Sequence, residues 1–165
     1  MMITLTGFMG GGKTTVGRLL ADALGCPFMD LDDLVVKKAG KSIPDIFAQD
    51  GEPAFRQLEA QVLRKTVDKY AESTAVLALG GGAVLAPASA ALLHEKTVCI
   101  YLRATLDTLL ARLEGETAGR PLADASLADR LASREPIYEE TAHVIIDTDG
   151  LSPDEVADEI IISAL

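Results

Sequence analysis

Met2-Ile-Thr-Leu-Thr6 followed by Gly7-Phe-Met-Gly-Gly-Gly12-Lys13-Thr14 is the stretch on which the fold turns. Its first five residues are apolar or β-branched and carry no charge, as in a strand buried on both faces. The glycine segment fits G-x-x-x-x-G-K-[ST]. Val16, Leu19, Leu20, Ala23 and Leu24 then recur at helical spacing until Gly25 stops the pattern. A strand, a glycine loop and a helix N-terminus in succession form a phosphate cradle. Glycines let successive N–H groups turn inward around phosphate oxygens, and the helix dipole adds a favourable field. Gly10, Gly11 and Gly12 supply the cradle, with Thr15 beside it. Lys13 offers a point charge to the β- and γ-phosphates, and the Thr14 hydroxyl is placed to ligate Mg²⁺.

Further along the chain the same alternation continues. Apolar runs at Pro27–Met29, Ala75–Leu79, Thr97–Leu102 and His143–Asp147 read as buried strands. Helices lie between them. Ser42 with Asp45 begins one that ends at Gly51, and Pro53 sits in the first turn of a long one reaching about Tyr70. Ser126 with Asp129, and Ser152-Pro153 with Glu155, begin two more. Strands and helices joined by short connections predict an α/β fold, a three-layer α/β/α arrangement with a five-stranded parallel sheet. Ligands of such sheets bind at the carboxyl edge of the strands. The segment Glu114–Ala125 holds two glycines and a proline between helices, so it is expected to be exposed and mobile, either a lid or a plain surface loop.

Composition narrows the functional classes. The chain has 165 residues with 48% apolar and 24% charged, a globular mixture of ordinary domain size. Fifteen basic against 25 acidic residues give a net charge of -10, which argues against a nucleic-acid partner. An anionic ligand must be held by a few local cations and backbone N–H groups. Cys26 and Cys99 are far apart in apolar surroundings and read as reduced core residues. His94 and His143 have no partner at zinc-ligand spacing. No apolar stretch approaches the ~20 residues of a membrane span, and the N-terminus has no signal-peptide pattern, so a cytoplasmic protein without membrane partner is expected. The sequence contains no asparagine, hence no Asn-Lys-x-Asp guanine reader; ATP is the expected nucleotide. A conventional acidic residue after the third strand is also missing, since Val76–Leu79 runs into Gly80-Gly81-Gly82.

Another carboxylate must therefore help hold the metal's waters. Phe28-Met29-Asp30-Leu31-Asp32 places two acids at positions i and i+2, which on an extended segment face the same way. One could order Mg²⁺-bound water while the other accepts a hydroxyl proton. Asp33 reads as a helix N-terminal charge. Arg56 and Glu59 are i, i+3 neighbours, so the acid can steady a guanidinium that faces a ligand carboxylate; a surface ion pair is the plainer alternative. Three glycines after a buried strand supply nothing to packing, and fit a place where ligand meets backbone or where positive φ is needed.

These elements occur in an order that resembles shikimate kinase: the loop with Lys13, Asp30-x-Asp32, Gly51-Glu…Phe55-Arg56-x-x-Glu59, Gly80–Gly82 and Arg120-Pro121-Leu122. The likeness spans essentially the whole chain. It implies a P-loop fold of the nucleoside monophosphate kinase type in one kinase domain, residues 1–165. The phosphate loop would lie at 7–14, the substrate-binding segment at about 31–62 and a lid at about 114–126. It implies transfer of the γ-phosphoryl of ATP to the 3-hydroxyl of shikimate, with Mg²⁺ as cofactor, by a monomer on the route to aromatic amino acids. By the same resemblance Asp32, Arg56, Gly80, Gly81, Gly82 and Arg134 would bind shikimate. Lys13, Asp32 and Arg120 would be catalytic, and Thr14 and Asp30 would serve the metal. Arg112 and Arg120 would join Gly10–Thr15 on ATP. Another small-molecule kinase, for gluconate or a nucleoside monophosphate, or a non-catalytic nucleotide-binding regulator, are the alternatives.

Overall fold

The strand before the glycine loop lies at the centre of a parallel sheet. A computed structural model describes residues 1–116 and 125–165. Its strands are β1 (Met2–Thr6), β2 (Phe28–Asp30), β3 (Ala75–Ala78), β4 (Thr97–Arg103) and β5 (Val144–Asp147). They pair in parallel in the order β2-β3-β1-β4-β5, with β1 flanked by β3 and β4. The helices are α1 (Lys13–Leu24), α2 (Leu31–Ala39), α3 (Ile43–Asp50), α4 (Glu52–Lys69), α5 (Pro87–Lys96), α6 (Leu106–Glu116), α7 (Ala125–Thr141) and α8 (Pro153–Ala164). The expected lid, with Arg120-Pro121-Leu122, falls largely outside the described residues.

Side-chain alternation explains why these strands read as continuous apolar runs. Met2, Leu77, Cys99 and Tyr101 enter one core with Val35, Leu63, Leu93 and Tyr138 of α2, α4, α5 and α7. Their neighbours Ile3, Val76, Ile100 and Leu102 enter the other, against Leu20 of α1 and Ile160 of α8. Both faces are covered, so a polar side chain there needs a partner to offset its desolvation. Thr4 meets that condition: its hydroxyl lies 2.9 Å from the Thr97 hydroxyl, which donates to the Leu93 carbonyl. Thr6 Oγ1 is buried with no partner among the described residues. Burial pushes the Cys99 thiol up to about 11, as befits an inert core residue. Among the described residues no helix is long and apolar enough to cross a membrane.

One local expectation needs correction. The second strand ends at Asp30, and Asp32 is in the first turn of α2 rather than on an extended segment. The Asp30 side chain caps that helix, accepting from the Asp32 backbone N–H at 2.9 Å. A capping aspartate followed by an acidic first turn favours a helix start over two more residues of strand. The two carboxylates are neighbours because of the cap, not because of strand periodicity.

Candidate active site

The loop at the end of β1 takes its shape from glycine backbone geometry. Gly10 and Gly12 have φ of 78° and 84°, a region that side-chain-bearing residues rarely adopt. Gly12 is also the N-cap of α1, and no side chain caps that helix. Its free N–H groups therefore face the cradle, a space of about 170 Å³ lined by Gly10, Gly11, Gly12, Lys13, Thr14 and Thr15. The Lys13 ammonium donates to the Gly7 and Phe8 carbonyls at 2.7 and 3.1 Å. Burial lowers its pKa to about 8, against the opposing pull of the Asp32 and Asp30 carboxylates. The Thr14 hydroxyl donates to Asp30 Oδ2 at 2.9 Å, which ties the loop to the helix cap at the end of β2.

On one side of the loop a space of about 230 Å³ is bounded by Gly10–Gly12, Arg112, Thr148 and Pro153. Arg112 donates to the Gly10 carbonyl and to the hydroxyl and carbonyl of Thr148, all between 3.2 and 3.3 Å. Its guanidinium is thereby fixed between the loop and the β5–α8 connection. Arg103 and Thr105 anchor that connection in turn, binding Asp147 and Asp149.

On the other side lies a cleft of about 330 Å³ whose lining includes Asp32, Phe47, Arg56, Glu59, the glycine triplet and Arg134. Arg56 Nη1 donates to Glu59 Oε1 at 3.0 Å, and Glu59 is 4% exposed, so this ion pair sits in the wall of the cleft rather than on the surface. Burial raises the Glu59 pKa, and the bond to Arg56 works against that rise. Asp32 is pushed above the usual carboxylate range, first by burial and then by the neighbouring charge of Asp30. Arg134 lies over the Phe8 ring at 5.7 Å. Tyr138, one turn on, donates to the Gly81 carbonyl at 2.5 Å.

The triplet owes its glycines to its neighbours. None of the three has positive φ. A Cβ on Gly80 would lie 2.9 Å from Asp32 Oδ1 and 3.3 Å from Glu59 Oε2, and one on Gly82 would overlap the Arg56 guanidinium. At Gly81 a Cβ would meet Arg134 Nη1 at 3.5 Å, an ordinary contact. The main chain just after β3 must stay bare at Gly80 and Gly82 so that Asp32 and Arg56 can lie against it.

Thus Lys13, Thr14, Asp30, Asp32, Arg56, Gly80–Gly82 and Arg134 meet along one edge of the sheet, with Arg112 on the far side of the loop. Arg120 is outside the described residues. Sequence reasoning missed the apolar wall of the cleft. Phe47 stacks on Phe55 with ring centroids 4.9 Å apart, and remains 38% exposed within the cleft. Phe47 follows the buried Ile46 on α3, and nothing in the local sequence pattern marks it as a cleft residue. Arg130, also on the cleft, stands one turn before Arg134 on α7, and that i, i+4 spacing could have revealed it. Pro153 was read only as a first-turn proline.

A parallel sheet in this order, with a glycine cradle after its central strand and an arginine-lined cleft alongside, defines a P-loop phosphotransferase acting on a small anionic acceptor. A family model described as shikimate kinase matches residues 9–164. The shikimate kinase of Enterococcus faecalis is 43% identical over 96% of this chain and 95% of its own. That of Geobacter sulfurreducens is 44% identical over 96% and 87%. A solved structure described as shikimate kinase from Acinetobacter baumannii in complex with shikimate superposes with a TM-score of 0.86 at 36% identity, covering 97% of this chain and 90% of that one. The chain belongs to the shikimate kinase family.

Proposed function

We propose that this chain transfers the γ-phosphoryl of ATP to the 3-hydroxyl of shikimate. The observation that carries the reading is the convergence of Asp32, Arg56 and Arg134 on one cleft that opens beside the phosphate cradle. Two guanidiniums facing an apolar, aromatic wall suit a ring that carries a single carboxylate. The acceptor named in the Acinetobacter baumannii complex is such a ring.

Each group then has a role. Arg56, steadied by Glu59, and Arg134 clamp the carboxylate. Asp32 accepts a hydrogen bond from the attacking hydroxyl and then its proton, a task that its raised proton affinity suits. Lys13 and the loop N–H groups hold the β- and γ-phosphates, while Arg112 and Pro153 flank the nucleoside. Arg120, in the segment at about 114–126 that the family likeness makes a lid, adds a further positive charge for the phosphates. Mg²⁺ fits the oxygen pair of Thr14 and Asp30, because this ion asks for few protein ligands beside water and phosphate. When bound, it neutralises charge on the phosphate oxygens. One kinase domain acting as a monomer in the cytoplasm, where ATP is at hand, completes the proposal.

The test is ADP release on adding shikimate, gluconate or a nucleoside monophosphate to enzyme with ATP and Mg²⁺. Only shikimate is expected to support turnover. Arg56→Ala should raise the shikimate KM by about a hundredfold, the loss of a charge-assisted bidentate contact. Turnover with gluconate but not shikimate would overturn the assignment.

A further inference from the structure

Further along the two helices that deliver Asp32 and Arg56, a second recess opens away from the catalytic edge. Leu34 of α2 and Leu58 and Val62 of α4 form its apolar floor, and it encloses about 350 Å³. Its rim carries Lys37, Lys38 and Lys65, and no carboxylate lines it. None of its lining residues borders the acceptor cleft or the phosphate cradle.

The lysines are the unusual feature. In a chain of net charge -10, three of 15 basic residues gather on one small recess. Among the described residues none of the three forms an ion pair, whereas the neighbouring Lys41 is held by Asp50 at 2.6 Å. Lys37 and Lys38 complement the C-terminus of α2, which gives those two a local reason. Lys65 lies in the interior of α4, three residues before Asp68, with which it forms no ion pair. Like charges gathered over an apolar surface repel one another, and an anion between them removes that repulsion. The recess has neither an arginine nor a helix N-terminus, the features that hold phosphate at the loop, so a polyphosphate is a poor match. An apolar body with one carboxylate matches both floor and rim, and the volume lies at the small end of ligand sites, which span ~300–1,000 Å³.

We infer that the recess between α2 and α4 is a binding site for a small apolar carboxylate, separate from the acceptor cleft. The reading does not depend on which acceptor the cleft takes. Titrating the full chain with hydrocinnamate and following backbone amide shifts by nuclear magnetic resonance tests it. Saturable shifts are expected at Leu34, Leu58 and Val62. The primary amide of the same acid should bind about fivefold or more weakly, since it lacks the charge the lysines select. A Lys37→Gln/Lys38→Gln/Lys65→Gln variant with unchanged melting temperature should bind acid and amide alike. Shifts confined to the Arg56 and Arg134 cleft, no saturable shifts at the recess, or equal affinity of the wild-type chain for acid and amide would overturn the proposal.

Discussion

The two glycine segments at the sheet edge look alike in sequence and differ in physical cause. In residues 7–14 glycine is required by the main chain itself, because Gly10 and Gly12 take positive φ and turn their N–H groups toward a phosphate space. In residues 80–82 the backbone is ordinary, and at Gly80 and Gly82 glycine is required by side chains arriving from α2 and α4. The first segment is a binding surface in its own right. The second is a floor on which Asp32 and Arg56 are laid. Substitutions in the first should therefore damage nucleotide binding, and in the second acceptor binding.

Removing what lies on the floor should have the largest effect. Asp32→Asn keeps the shape and loses the proton acceptor, so kcat should fall by about 10²–10⁴-fold with the ATP KM little changed. Because burial and Asp30 raise the Asp32 pKa, the acid limb of the wild-type pH–rate profile should lie above the usual carboxylate range. Steady-state kinetics across pH check both.

A matched pair separates the two segments directly. Gly12→Ala forces a side chain into positive φ, a strain of ~1–3 kcal/mol, so the ATP KM should rise about tenfold or more and the shikimate KM should hold. Gly82→Ala displaces the Arg56 guanidinium, so the shikimate KM should rise about tenfold while the ATP KM holds. If both variants lose ATP affinity alone, the floor interpretation fails.

The pH dependence of nucleotide binding comes next. Lys13 has its pKa lowered to about 8 from 10.5, so its ammonium is lost as pH rises through about 8. Phosphate binding needs the charged form, so ATP affinity should drop several-fold between about pH 7 and 9, with proton uptake on binding near pH 8. In the same window the unfolded chain keeps the proton that the folded one has released. Lys13 therefore adds to the stability of the nucleotide-free protein as pH rises from about 8 to 10.5. Calorimetry in buffers of different ionisation enthalpy measures the uptake.

The smallest effect should come from Tyr138→Phe, which leaves the Gly81 carbonyl without its donor. A lost neutral hydrogen bond corresponds to ~0.5–1.5 kcal/mol, hence a melting temperature lower by a few degrees. The shikimate KM should rise a few-fold, because the Tyr138 hydroxyl also bonds the Arg134 side chain.

How well each part could be read depended on the range of its cause. The strand Met2–Thr6, the loop and α1 follow from nearest-neighbour patterns, and the sheet needed only the alternation of such patterns. Asp30 and Asp32 were paired correctly but for the wrong reason, because capping overruled strand periodicity at that turn. Phe47 was hidden, because an amphipathic pattern marks a residue as apolar without saying whether its contact is core or cleft. Gly80 and Gly82 had no local explanation at all, since the atoms they make room for belong to residues more than 20 positions away in the chain.

Sequence by itself determined the parallel sheet, the cradle and the family, because backbone preference, burial on two faces and motif order are written in adjacent residues. Tertiary structure alone decided which side chains share the acceptor cleft, why the triplet is bare and where Arg112 is fastened. Those depend on β2, β3, α4 and α7 being brought to one edge, and no local pattern encodes a distance between segments.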